Sequence, residues 1–371
     1  MRAAILAICL LFAAPAAAAE PLEPSFFGVQ GWRSPDRNEL RSLERAGVGS
    51  VRVGFNLATV VDSDGERHWG ELDELVADAA KTGMELLPVL VYAAHIDGSQ
   101  RARPPRTQAD RDEWAGWVEE AVRRYGTNGS FWLGEPELPY QPVTAWQVWN
   151  EPNLVQHWPR PNARSYVALL RSTSRAIRDM DSQATVVLAG IPDTRRGIGL
   201  RPYLRSVYRQ RGFKRLFDVI ALHPYARSVT GVERGIGVAR RIMRRFGDSE
   251  RRTWITEIGW ATGGPYPSRF RVSVEDQAER LSDAFDMFID ERDRYRLERV
   301  FWFSLRDRDL NGEEPDWFGP HTGLFYRSGF AKPAWHMFAA VTGGVADDWL
   351  DRSFGLPPTE DDGCGTQPSC G

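Results

Sequence analysis

From residue 26 to about residue 340 the chain alternates short, continuously apolar runs with longer stretches of helical periodicity. The apolar runs, 26–32, 50–55, 85–91, 145–149, 185–189, 219–223, 253–258 and 299–304, are rich in Val, Ile, Leu and aromatics, with little polar alternation. Strands covered on both faces read this way, because neither face meets water. Between them the amphipathic segments 38–46, 72–82, 110–125, 163–180, 204–210, 232–246, 274–293 and 333–341 predict helices. Gly47, Gly83 and Gly126 stand just past three of these, where a left-handed residue can close a helix, and Asn162 stands where a side-chain cap can open one. In the segment 274–293, Ala278, Leu281, Phe285 and Phe288 share one face, the mark of a core stripe.

Eight strand–helix units over about 310 residues have the size of a closed barrel. The predicted fold class is therefore α/β, a (β/α)8 TIM barrel in a single domain spanning 20–346. The rival, an open doubly wound sheet, commonly has fewer strands and a glycine-rich phosphate loop after the first. Here the first strand runs into Gln30-Gly31-Trp32-Arg33-Ser34, which is no such loop. Long segments rich in Pro, Gly and aromatics at 95–107 and 127–144 are placed to shape a groove at the barrel mouth.

The two ends read differently. Arg2, the apolar stretch 3–14, Pro15 and the alanines 16–19 form a signal peptide over 1–19, with cleavage expected near Ala19–Glu20. The stretch is too short for a bilayer, which needs about 20 apolar residues. No membrane span is expected later, and the protein is expected to be secreted or extracytoplasmic. Cys9 follows Ile8, whereas a lipid-modified cysteine would want a small residue before it. Loss of the leader leaves Cys364 and Cys370, which flank a turn-rich spacer and could close a small disulfide in an oxidising compartment. Residues 347–371, rich in Gly, Asp and Pro, are expected to form a mobile tail.

Composition narrows the partners. The net charge is -3 and no basic block interleaves with aromatics, so nucleic acid is not an expected partner. Lys81, Lys214 and Lys332 are the sole lysines, and clusters such as Arg240-Arg241 and Arg244-Arg245 read as solvated helix faces. The excess is in tryptophan, 14 residues, whose flat apolar rings are costly to expose and stack well on sugars. Trp69, Trp132, Trp158, Trp260 and Trp317 could line a groove or pack between helices. A monomer is expected.

Chemistry in a barrel belongs at the C-terminal ends of its strands. The fourth strand delivers Trp146-Gln147-Val148-Trp149-Asn150-Glu151-Pro152-Asn153, and the seventh delivers Trp254-Ile255-Thr256-Glu257-Ile258-Gly259-Trp260. Each places one glutamate where a strand breaks, among apolar and aromatic neighbours that would desolvate it. Either alone could be a surface loop charge; two at such positions are the candidate catalytic pair. Trp149-Asn150-Glu151-Pro152 and Thr256-Glu257-Ile258-Gly259-Trp260 resemble the signatures of the clan A glycoside hydrolases, and the wording is similar to family 39 and to the family 5 cellulase-like group. The resemblance implies a (β/α)8 retaining enzyme with Glu151 as acid/base and Glu257 as nucleophile, cleaving O-glycosidic, expectedly β, bonds of an oligo- or polysaccharide. In retaining enzymes the carboxyls stand about 5–5.5 Å apart. Two charges at that distance repel by roughly 3 kcal/mol at an effective dielectric near 20, about 2 pKa units, which would keep one glutamate protonated near neutral pH.

The resemblance also implies supporting roles. Asn150 would bond the sugar 2-hydroxyl, Arg52 would lie beneath the nucleophile, and Tyr225 would donate to Glu257. His223 would line the sugar subsite, Trp302 would stack under the reacting sugar, and His95 after the third strand is a further substrate-binding candidate. Plainer readings stand beside these: a rim salt bridge for Arg52, a satisfied core residue for His223, a core indole for Trp302. The histidines show no His-x-His or His-Glu-x-x-His spacing, so no metal site is predicted, and there is no Gly-x-Ser-x-Gly elbow. No cofactor is expected. A catalytically silent carbohydrate-binding barrel and a transglycosidase using the same residues are the alternatives.

Overall fold

In the computed structural model, residues 22–56, 60, 66–91, 104–310 and 316–348 are described. Among them the strands are β1 (Phe27–Gln30), β2 (Ser50–Asn56), β3 (Glu85–Val91), β4 (Ala145–Val148), β5 (Thr185–Val187), β6 (Val219–His223), β7 (Arg252–Ile258) and β8 (Leu297–Phe303). After a break at 188–190, β5 rejoins the sheet through Ile191–Pro192, which pair with Leu222 and His223 of β6. All pairings are parallel and run in chain order, with β8 against β1 and β5 against β6, so the sheet closes on itself. This is the predicted (β/α)8 TIM barrel.

Around the barrel lie α1 (Arg37–Arg45), α2 (Gly70–Lys81), α3 (Gln108–Tyr125), the short α4 (Ser130–Gly134), α5 (Ala163–Met180), α6 (Leu200–Tyr208), α7 (Val229–Arg245), α8 (Val274–Asp290), a further turn α9 (Arg292–Tyr295) and α10 (Pro333–Thr342). Asn162 caps α5 as expected, accepting from the Ser165 amide, while Ser228 and Ser273 cap α7 and α8 in the same way. Those serines explain why α7 begins three residues before the periodic pattern. α4, inside the long segment 127–144, was not anticipated, because one apolar turn carries no period. No helix among the described residues is long and apolar enough to cross a membrane.

Two cores hold the layers. The larger joins strands to helices and includes Leu281, Phe285 and Phe288, the predicted α8 stripe. The smaller, Leu87, Ala145, Val187, Val219, Ala221, Trp254 and Phe301, draws on six strands and no helix, and so fills the barrel interior. Gly28 on β1 belongs to that packing: a Cβ there would overlap the Phe301 ring. Asp347 and Asp348, beyond the expected end of the domain at 346, are tied to it, since the Trp335 indole donates to the Asp347 carbonyl at 2.9 Å and the Ala331 amide to that of Asp348 at 2.9 Å. The expected signal peptide, His95, Cys364, Cys370 and the rest of the expected tail lie outside the described residues.

Candidate active site

Above the apolar interior layer the strands turn polar. Strand alternation carries Ala145 to Gln147 on β4 and Val219 and Ala221 to His223 on β6. The two glutamates need more than alternation. On β7, Ile255 pairs with Val300 and Ile258 with Trp302, so three steps on one strand match two on the other. This bulge inserts one residue and brings Thr256 and Glu257 together at the mouth. On the β4 side, Trp149 and Glu151 both have positive φ, 71° and 44°, a region that costs non-glycine residues about 1–3 kcal/mol each. The kink turns the Trp149 indole into a buried cluster with Trp114 and Trp158 and frees Glu151 to face the barrel axis. The Glu151 amide is held by the Gly190 carbonyl at 3.2 Å. Gly190, in the break of β5, must be glycine because a Cβ would overlap the His223 ring.

An oxygen of Glu151, an oxygen of Glu257 and an imidazole nitrogen of His223 all lie within 4.8 Å of one another. Arg52, 1% exposed, organises one side of this group. Its Nη1 donates to Glu257 Oε1 at 2.6 Å and to Gln30 Oε1, its Nε to Gln147 Oε1 at 2.6 Å, and its Nη2 to Asn150 Oδ1 at 2.8 Å. Tyr225 donates its hydroxyl to Glu257 Oε2 at 3.0 Å. His223 Nδ1 sits 2.7 Å from Glu151 Oε1, and its Nε2 3.0 Å from Thr256 Oγ1. Gln147 Nε2 donates to Thr256 Oγ1 at 3.4 Å, and His223 Nδ1 donates to Glu151.

The charges are tuned by these contacts. Burial presses the Glu151 carboxyl upward, but hydrogen bonds from His157 and His223, with their charge, outweigh it and hold the group well below the usual carboxylate range. The expected repulsion from Glu257 is therefore not what governs Glu151, because two imidazoles lie in direct contact with it and act the other way. Burial, then the nearby Glu257 and Glu151 charges, push the Tyr225 hydroxyl well above its ordinary value, so it remains a donor.

Of the predicted site residues, Glu151, Glu257, Arg52, Asn150, His223 and Tyr225 converge. Arg52 is thus at the centre and not at the rim, and His223 touches Glu151 itself. Trp302 does not join them. Phe301 and Phe303 carry the interior side of β8, so alternation turns Trp302 the other way, fully buried against Trp260 with its indole donating to the Thr322 carbonyl at 3.1 Å. It has no face left for a sugar, and the plainer core reading holds. An arc of aromatics at the mouth stands there instead, running from buried Phe303 to half-exposed Trp32 (4.9 Å between ring centres), then Trp317 (5.9 Å), Phe318 (5.1 Å) and Tyr225 (5.4 Å). Trp132, Trp158 and Trp260 are buried, and Trp69 packs on Tyr125. Sequence reading missed Gln30, Gln147, Thr256 and His157. A polar residue inside an apolar strand was the available signal for Gln147 and Thr256; nothing marked His157.

No family model matches the chain, and no curated protein matches it. Among solved structures it is similar to a family 39 glycoside hydrolase from Bacteroides cellulosilyticus WH2, with TM-score 0.63 and 20% identity over 86% of this chain and 63% of that one. A monomeric beta-xylosidase from Caulobacter crescentus CB15 matches with TM-score 0.63 and 18% identity over 89% of this chain and 72% of that one. A family 10 enzyme from Paenibacillus barcinonensis matches with TM-score 0.57 and 16% identity over 87% of this chain and 97% of that one. The chain spans 63% of the length of the first of these. At such identities the likeness is one of fold, and that fold is the one the clan A resemblance implies.

Proposed function

We propose that this chain is a secreted, retaining O-glycoside hydrolase that acts as a monomer on a β-linked oligo- or polysaccharide. The carrying observation is the approach of an oxygen of Glu151 and an oxygen of Glu257 to within 4.8 Å, from the ends of β4 and β7. That spacing lets one carboxylate attack carbon directly; inverting pairs stand about 6.5–9.5 Å apart to admit a water.

The residues divide the work as follows. Glu257 Oε attacks the anomeric carbon while Glu151 gives a proton to the departing glycosidic oxygen; a glycosyl ester forms on Glu257 as the C–O bond breaks. Water then attacks that carbon, loses its proton to Glu151, and releases Glu257. Arg52 and Tyr225 each occupy one Glu257 oxygen and so fix the attacking geometry. Asn150, whose Oδ1 is taken by Arg52, presents its amide N–H groups to a sugar hydroxyl. The aromatic arc supplies stacking surface in place of Trp302.

Proton NMR of a turning-over glycoside tests this: the first product formed is expected to keep the anomeric configuration of the substrate. An inverted first product would remove Glu257 as nucleophile. The spacing of Glu151, His223 and Glu257 would also suit a metal ion. A cation there would have to displace or compete with the Arg52 guanidinium, which already donates to Glu257 Oε1 at 2.6 Å. Dialysis against EDTA is accordingly expected to leave kcat unchanged. Loss of activity that a divalent ion restores would favour metal-assisted hydrolysis.

A further inference from the structure

We infer that His157 is the proton store of Glu151: a positioning residue that passes a proton between solvent and the acid/base carboxyl. This rests on the glycosidase reading of the pair. The two oxygens of Glu151 are addressed by different imidazoles, Oε1 by His223 Nδ1 at 2.7 Å and Oε2 by His157 Nε2 at 3.2 Å. The imidazoles differ in access. His223 is fully buried with both ring nitrogens engaged inside the barrel, by Glu151 and Thr256, so it has no route to water. The His157 side chain is 37% exposed while that of Glu151 is 11% exposed. Of the two imidazoles on Glu151, His157 is therefore the one that reaches solvent.

Its position is built. The Trp149 indole, turned inward by its left-handed backbone, donates to the His157 carbonyl at 3.1 Å. The next residue, Trp158, is buried edge-on against Trp149 and its amide donates to Leu154 at 2.8 Å. The loop is thus clamped on both sides of the imidazole. The charged groups facing it are Glu151 at the end of β4, Glu257 from β7 and Arg52 from β2, with His223 of β6 on the far side of Glu151. Burial presses the His157 imidazole down, the Glu151 hydrogen bond and the Glu151 and Glu257 charges more than offset it, Arg52 opposes them, and the net effect is upward.

The proton balance is simple. The His157 Nε2–H bond breaks as the Glu151 Oε2–H bond forms; that O–H bond then breaks as the leaving oxygen takes the proton and the electron pair of the anomeric C–O bond. In the second half, the proton lost by the attacking water goes to Glu151 and back to Nε2. Because the store titrates above a lone carboxyl, the site keeps its acid proton to higher pH than Glu151 alone would.

The test uses the full chain and two readouts. In imidazole NMR, with the signal assigned through His157→Gln, His157 of the unmodified protein is expected to titrate above the ordinary value of about 6.5, and to fall back in Glu151→Gln. Titration at the ordinary value, unmoved by Glu151→Gln, would overturn the proposal. In kinetics, His157→Gln is expected to lower kcat/KM about ten- to a hundred-fold for an alkyl glycoside, by about threefold or less for a dinitrophenyl glycoside that departs without a proton, and to move the basic limb down by about one pH unit. Equal losses on both substrates with an unmoved limb would show a merely structural role and overturn it. Should the unmodified protein cleave neither glycoside, the glycosidase reading falls, and the NMR titration alone decides the proton store.

Discussion

Glu257→Ala is expected to lower kcat on an aryl β-glycoside by roughly four orders of magnitude or more, the scale on which an enzyme loses a covalent route with its nucleophile. The variant removes the one carboxylate that both Arg52 and Tyr225 address, while leaving their scaffold in place. The alanine also leaves room beside the anomeric carbon. Azide is expected to enter that space and restore turnover, giving a glycosyl azide of configuration opposite to the substrate, because a single displacement replaces two. Azide added to Glu151→Ala is expected to give the retained azide, since there it attacks the ester on Glu257 from the side where water would. The two products assign the two roles independently of any structure. Unchanged activity in Glu257→Ala, or the retained azide from it, would end the assignment.

Arg52→Leu is expected to have the second largest effect, on stability and rate together. The guanidinium reaches Glu257, Gln30, Gln147 and Asn150 from a site 1% exposed, so its loss strands a buried carboxylate and three amide oxygens. Breaking a buried ion pair by removing one partner costs about 3–5 kcal/mol, visible as a lower denaturant midpoint. The rate on an aryl glycoside is expected to fall about a hundred- to a thousand-fold, as Glu257 and Asn150 lose the group that orients them. The double variant Arg52→Leu/Glu257→Gln is expected to regain much of the stability and none of the activity, because no unpaired charge remains. A single variant with an unshifted midpoint and near-normal kcat would show that the network is incidental.

Several features were legible before any coordinates. Eight buried strands read as continuous apolar runs, and the α8 face Ala278, Leu281, Phe285 and Phe288 read as core, because both are short-range patterns of burial. Element ends were less legible where a cap decided them, as at Ser228 before α7. Of the expected site residues, Glu151, Glu257, Arg52, Asn150, His223 and Tyr225 lie in one hydrogen-bonded group, and strand ends and motifs pointed to each. Trp302 was misassigned: its motif is an unbroken aromatic run, Phe301-Trp302-Phe303, in which only the pairing of β8 with its neighbours says which rings face inward.

The sequence by itself determined the barrel, its order of units and the delivery of one glutamate to each of two strand ends, because periodicity and local motif lie within a few residues of the chain. Only the tertiary structure decided the meeting of the carboxyls. That meeting depends on a bulge counted against a neighbouring strand, on two left-handed residues at Trp149 and Glu151, and on a glycine that clears the His223 ring. It also decided that His157 joins Glu151. Six positions along an irregular loop carry no period, so their separation in space follows from how the Trp149 and Trp158 indoles pack, which no local pattern encodes.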